Sequence, residues 1–287
     1  MNKLGLDKDS LVRVILVIFA FSSLLFLFVI FAFILAEGIP LFYRVGIKSI
    51  VFGMKWAPTK GFFGIFPMII SSFMVTIGSL VLGAPAALAC AIYLSEYAGR
   101  RTKLVLKPSL ELLAGIPSVV YGFLGVVYIV PIIREHLGGA GFSILSTSIV
   151  LAIMILPTIT SISFDAIMSV PAAYREGSFA MGATKWQTVR RVIVPAAGSG
   201  ILASFILGMG RAIGETMAVI MVAGNALRIP TSLLDPLRTL TSNIALELAY
   251  ATGDHRRALF STGVVLLIII MSLNLVANFW VKRKVAR

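Results

Sequence analysis

The chain has 287 residues, 59% of them hydrophobic and 13% charged, with a mean hydropathy of +1.00 and a net charge of +13. This composition excludes a water-soluble globular protein and places the chain in lipid.

A bilayer core of about 30 Å calls for roughly 20 apolar residues per helix. Six stretches qualify, near residues 13–36, 64–94, 108–133, 142–165, 196–223 and 258–281, and predict an all-α polytopic membrane protein whose six transmembrane helices form a single domain over residues 1–287. Lys3, Lys8 and Arg13 precede the first span as they would in a secretory signal. Its apolar core exceeds the roughly 7 to 15 residues of a signal and no A-x-A site follows, which predicts a retained helix. Cys90, the single cysteine, has no partner for an intrachain disulfide. Two long connecting segments follow the first and fifth spans, at 37–63 and 224–257; in the second, Leu237, Leu240, Ile244 and Leu248 repeat at helical spacing and predict short interfacial helices. Pro117 and Pro157 predict bends in the third and fourth spans. Ser71, Ser72, Thr76 and Ser79, with Thr158, Ser161 and Ser163, offer hydroxyls either to a hydrated anion or to their own helix backbone.

The location of the charge separates topology from ligand binding. With the N-terminus inside, fifteen of the 25 Lys and Arg residues fall in inner segments, nine in outer ones, and Arg211 within a span. The positive-inside rule then puts both termini in the cytoplasm. Anionic lipid headgroups account for the basic charge, so no nucleic-acid partner is implied.

Between the fourth and fifth spans lies EGSFAMGATKWQTVRRVIVP, residues 176 to 195, a basic segment of soluble character. Pro171 suits the first turn of a helix, where a missing N–H costs nothing, and Gly182 suits its left-handed stop. Thr184 and Gln187 stand at capping-box spacing and begin a second helix. A hairpin over 171–195 results, entering the fifth span through Pro195. Glu176, Gly177, Ser178, Gly182, Val192, Val194 and Pro195 fall at the positions of the EAA motif, so the segment resembles the coupling hairpin of ABC-importer permeases. Gly and Ser replace two alanines and two valines replace the usual Ile and Leu, keeping small size and apolar character. The resemblance implies the MetI-like (type I) importer permease fold, in which this hairpin seats in a cleft of a cytoplasmic ATPase. It assigns ATPase coupling to Glu176, Gly177, Ser178, Gly182, Thr184 and Pro195.

In the fifth span, Arg211 and Glu215 are four residues apart and share a helical face with Gly208. A charge pair in hydrocarbon faces protein or a polar cavity. Two readings stay open: an anion station built on the guanidinium fork, or an interior salt bridge that locks helices. Gly210 and Gly214 form a G-x-x-x-G that favours close helix contact. Arg211, Ala212, Gly214, Glu215 and Thr216 match the R-A-x-G-E-T signature of permeases of the phosphate-specific transport (Pst) system. Met217-Ala218-Val219, Gly224-Asn225, Trp56-x-Pro58, Gly64-Ile65, Pro67 and Gly182-Ala183-Thr184-x-Trp186 are similar to its PstC branch more than to PstA. That resemblance implies a bacterial or archaeal cytoplasmic membrane, a PstA-type paralogue as heterodimer partner, two PstB-type ATPases and a PstS-type extracytoplasmic phosphate-binding protein. It places Arg211, Glu215 and Thr216 on the substrate pathway.

The inventory argues against an enzyme. His136 and His255 are isolated, no H-E-x-x-H or paired metal-ligand spacing occurs, and the G-x-G-x-x-x-G run at 208 to 214 has the wrong spacing for a dinucleotide fingerprint. A Walker A loop is absent, so no catalysis, metal or cofactor is expected in this chain, and ATP-Mg belongs to the partner ATPase. The competing functions are a permease for another oxyanion such as sulfate or molybdate, and a non-transporting membrane scaffold or sensor.

Overall fold

A backbone in lipid must satisfy its polar groups internally, which favours helices. In the computed structural model, which describes residues 8–285, the chain order begins with α1 (Lys8–Val45) and α2 (Ile47–Val51). An antiparallel hairpin of β1 (Trp56–Ala57) and β2 (Phe62–Phe63) leads into α3 (Phe66–Ile92) and a wide π turn at Tyr93–Tyr97. Then come α4 (Arg100–Gly115), α5 (Ser118–Leu124), a π turn at Gly125–Ile129, α6 (Val130–His136) and α7 (Ile144–Met168). The hairpin segment supplies α8 (Ala172–Ala180), α9 (Lys185–Thr188), a π turn at Val189–Ile193 and α10 (Val194–Ala196). The chain finishes with α11 (Gly198–Gly214), α12 (Met217–Val222), α13 (Leu240–Glu247) and α14 (Gly253–Val285). Lys3 and Arg287, counted among the inner charges, lie outside the described residues.

Burial orders these helices around α7. Two thirds of its apolar window is buried inside the chain (67%), whereas none of the window of α1 is (0%), so α7 is the core and that window of α1 is left uncovered by the rest of the chain. Close approach to α7 is made through small residues: a Cβ at Gly83 would meet Ala152 and Ile155, and one at Gly208 would meet Ile159. Leu151, Met154, Ile155 and Ile159 pack there with Val75, Ala87, Val219 and Val222. A second cluster, at the face opposite the α8–α9 hairpin, joins Leu41, Ile50, Trp56 and Ile65 to Leu240 and Leu259. It anchors α13 to α1, α3 and α14.

Three expectations about the spans need correction. The third span does not start at 108: Pro108 lies inside the amphipathic α4, the chain breaks at Ile116-Pro117, and the span is Ser118–His136. Pro117 thus produces a break where a bend is expected, because it fixes φ and pushes the residue before it to extended backbone; Pro157 stays within a continuous α7. The fifth span, 196–223, is not one helix but α11 and α12, interrupted at Glu215, whose backbone is extended (φ −69°, ψ 134°). Among the described residues, five helices are long and apolar enough to cross a membrane; a sixth is obtained when Lys185–Ala196 and Gly198–Gly214, bent by 68°, count together.

The connecting segments also differ from simple amphipathic helices. The first contains α2 and the small β-hairpin. In the second, α13 takes up only the middle of the predicted repeat, and it buries its polar side chains: Thr241, Ser242, Asn243 and Glu247 are enclosed while Leu248 is exposed. Burial of polar groups is tolerable only with partners, and α13 finds them for all but the amide nitrogen of Asn243. Glu247 accepts hydrogen bonds from Trp56 Nε1 (2.8 Å) and Arg238 (2.7 Å) and lies 2.8 Å from His255 Nε2.

Candidate functional site

The 171–195 hairpin is built as the sequence predicts. Pro171 caps α8, and Gly182, at φ 79°, closes it in a left-handed conformation. Gly182 N–H donates to the carbonyl of Phe179 (2.9 Å) and Ala183 N–H to that of Ser178 (3.2 Å), the paired bonds of a Schellman stop. Thr184 and Gln187 complete a capping box at the start of α9, with Thr184 N–H donating to Gln187 Oε1 (2.9 Å) and Gln187 N–H to Thr184 Oγ1 (3.3 Å). Ser178 Oγ and Thr188 Oγ1, 2.8 Å apart, tie the two helices together. Glu176 is exposed and engages no hydrogen bond or ion pair among the described residues. A Cβ on Gly177 would meet nothing, so packing within this chain does not require its small size.

Around these residues the hairpin presents Tyr174, Phe179, Met181 and Trp186, all exposed, Met181 at 88%. Its opposite side is seated in the membrane domain. Ile193 and Ala197 pack with Ala91, Ile167, Val170 and Ile201. Arg175, which sequence reasoning treats only as one inner charge, is the main polar anchor: it bonds Glu96 Oε1 (2.7 Å) and the carbonyls of Val170 (2.7 Å) and Ile167 (3.1 Å). Lys185 Nζ stands 4.7 Å from the ring centre of Tyr97. Pro195 lies in α10, just before the 68° bend into α11. The hairpin and α11 therefore form an elbow, with Arg211 about 20 Å along its inner arm at 1.5 Å per residue.

Arg211 and Glu215 do not form the expected charge pair. An i, i+4 contact needs continuous helix, and the helix stops between them. Glu215 Oε1 instead accepts from Ala218 N–H (3.1 Å), satisfying one of the open donors at the start of α12. Thr216 Oγ1 turns back to the carbonyl of Gly214 (3.3 Å). Arg211 is left with long contacts, to Thr158 Oγ1 (3.3 Å) and the carbonyl of Ala114 (3.4 Å), and forms no salt bridge among the described residues. Its guanidinium thus lies where α4, α7 and α11 meet, one α-turn from the break. Among the candidate hydroxyls, Thr158 reaches Arg211. Thr76 and Ser79 bond their own helix backbone, Ser163 pairs with Ser204 (2.8 Å), and Ser71 is buried without a partner. Gly208 makes the close helix contact expected of Gly210 and Gly214, which meet nothing in this chain.

Residues 83–287 match the family model described as binding-protein-dependent transport system inner membrane component. The chain belongs to this family of ABC importer permeases. The permease is 46% identical over 243 residues to the "Probable ABC transporter permease protein YqgH" of Bacillus subtilis, a match covering 82% of the permease and 79% of that protein. It is 34% identical over 271 residues to the "Phosphate transport system permease protein PstC" of Haemophilus influenzae, covering 85% and 86%. A chain from the crystal structure of a bacterial alginate ABC transporter, in complex with alginate pentasaccharide-bound periplasmic protein, superposes with a TM-score of 0.69. The identity is 16% and the match covers 98% of each chain, so this likeness establishes the fold alone. The type I importer permease fold and the similarity to PstC permeases are both borne out. The family makes the permease a multi-pass inner membrane protein that works with an ATPase and a substrate-binding protein.

Proposed function

We propose that the permease is the PstC-type subunit of an ATP-driven importer of inorganic phosphate. In this reading it pairs with a PstA-type paralogue, two PstB-type ATPases and a PstS-type binding protein, with both termini in the cytoplasm. ATP-Mg is bound and hydrolysed by the ATPases, and the permease itself is not a catalyst. The observation that carries the proposal is Arg211: a guanidinium within the fifth span without a carboxylate partner among the described residues, held loosely by a hydroxyl and a carbonyl, has donors for an incoming anion. Similarity to PstC proteins of several organisms supports phosphate as that anion.

Closure of the ATPase dimer pushes the exposed face of the hairpin. The push crosses the Arg175–Glu96 anchor and the Ile193 seat, tilts α11 and exposes Arg211 alternately to the two sides. Glu176, Gly177, Ser178, Gly182, Thr184 and Pro195 serve the ATPase contact; Arg211, Glu215 and Thr216 shape the pathway, Glu215 by capping α12 in place of pairing with Arg211. The test is ATP-dependent uptake of labelled phosphate by vesicles holding the complete complex and the binding protein, with sulfate and molybdate as competitors. Uptake blocked by phosphate alone is expected. A second oxyanion that competes equally would transfer the assignment to a broader oxyanion permease.

A further inference from the structure

We infer that α13 is a strut carrying displacement of the opposite face to the break in the fifth span, with Thr241 as its positioning residue. This rests on the reading of Arg211 as the anion station. Eight residues long, α13 buries its polar face completely, and each end has a distinct attachment. At its start, Thr239 and Ser242 form a reciprocal capping box, Leu240 N–H donates to Ser72 Oγ of α3 (3.0 Å), and Thr241 Oγ1 donates to the backbone carbonyl of Glu215 (2.8 Å). At its end, Glu247 gathers Trp56 from the β-hairpin, Arg238 from the preceding loop and His255 from the first turn of α14.

The Glu215 carbonyl is the telling attachment. It lies at an interruption between two helices, where carbonyl groups lack the regular partner of a continuous helix. Its partner here comes from α13, twenty-six positions further along the chain. The same residue caps α12 through its carboxylate, so the Thr241 hydroxyl ties α13 to the hinge between α11 and α12. Arg211 is one turn before that hinge. Displacement of α13 by a protein docking on the opposite face therefore reaches Arg211 through one hydrogen bond and one helical turn, without passing through α7.

The isosteric Thr241→Val removes the donor and keeps the shape, while Thr241→Ser keeps the donor. Both variants are compared with the parent in reconstituted complex, measuring ATP hydrolysis without binding protein, its stimulation by loaded binding protein, and phosphate uptake. For Thr241→Val, stimulation and maximal uptake fall roughly fivefold to tenfold, the scale of one lost hydrogen bond, while unstimulated hydrolysis and the half-saturating binding-protein concentration hold; Thr241→Ser behaves as the parent. Parental stimulation in Thr241→Val, or equal impairment of Thr241→Ser, overturns the strut. A parent complex whose ATPase responds to the binding protein but which imports no phosphate refutes the substrate reading instead, and the stimulation of the two variants still decides the strut.

Discussion

Arg175 and Glu96, 79 positions apart, form a 2.7 Å ion pair in which both side chains are mostly enclosed, joining the hairpin to the end of α3. Arg175 also satisfies two carbonyls at the end of α7, so one guanidinium binds the hairpin to both central helices. Removing one member of an enclosed pair leaves the other unpaired, at a cost of about 3 to 5 kcal/mol when the pair is fully buried. Arg175→Met, which also abandons the carbonyls, is expected to lower thermal stability more than Glu96→Gln, and the double variant to match Arg175→Met. Thermal unfolding of the three proteins in detergent checks this; additive losses would show that the two residues act independently.

Gly182 separates backbone strain from docking. At φ 79° any L side chain costs about 1 to 2 kcal/mol, yet nothing in the chain lies within reach of an added Cβ. Gly182→Ala and Gly182→Trp are therefore expected to unfold at nearly the same temperature. Transport should distinguish them: Gly182→Ala retains most of it, whereas Gly182→Trp uncouples ATP hydrolysis from uptake because the indole projects where a partner must approach. Equal transport by the two variants would mean that no partner seats against this turn.

The absence of an Arg211–Glu215 salt bridge gives a clean expectation for Arg211. Two long hydrogen bonds are lost in Arg211→Gln, and no carboxylate is stranded, so thermal stability should change by less than about 1 kcal/mol. Uptake should nevertheless be abolished, and Arg211→Lys should recover less than about a tenth of it, because an ammonium lacks the planar fork. The assay is uptake beside thermal unfolding of the same preparation. A large loss of stability in Arg211→Gln would restore the locking role.

Much of the hairpin was legible because its signals are local. The left-handed stop at Gly182 and the box at Thr184 and Gln187 each depend on residues within a few positions of one another. The interruption at Glu215 was not legible, since Arg211 to Val222 reads as uninterrupted helix and the cap from Glu215 to Ala218 emerges only once the chain has turned. Arg175 and Thr241 were missed for another reason. Their partners, Glu96 and the Glu215 carbonyl, are brought to them by tertiary packing, and neither residue lies in a pattern that periodicity detects. The leucine repeat suggested an apolar face, and Leu237 and Leu240 are indeed buried, but α13 also encloses Glu247, Asn243 and Thr241, which meet partners from other segments.

Asp235 supplies an acid-sensitive fastening at the opposite face. Its carboxylate accepts hydrogen bonds from Thr231 N–H (2.9 Å), Thr231 Oγ1 (3.0 Å) and Ser232 N–H (3.1 Å), and these, with the nearby Arg228 guanidinium, hold it below the ordinary carboxylate range. The loop so closed offers the carbonyls of Asp235 and Leu233 to the first N–H groups of α7, at Ile144 (3.1 Å) and Leu145 (2.9 Å). Because folding favours the charged form, the contribution is complete above the ordinary aspartate value of about 3.9 and is lost as the pH falls through the lower value of the folded protein. Asp235→Asn should therefore unfold at a lower temperature than the parent at pH 7, with the difference narrowing only below about pH 4. Paired thermal scans across that range provide the measurement, and a difference that is constant with pH would show that the charge of Asp235 contributes nothing to the fastening.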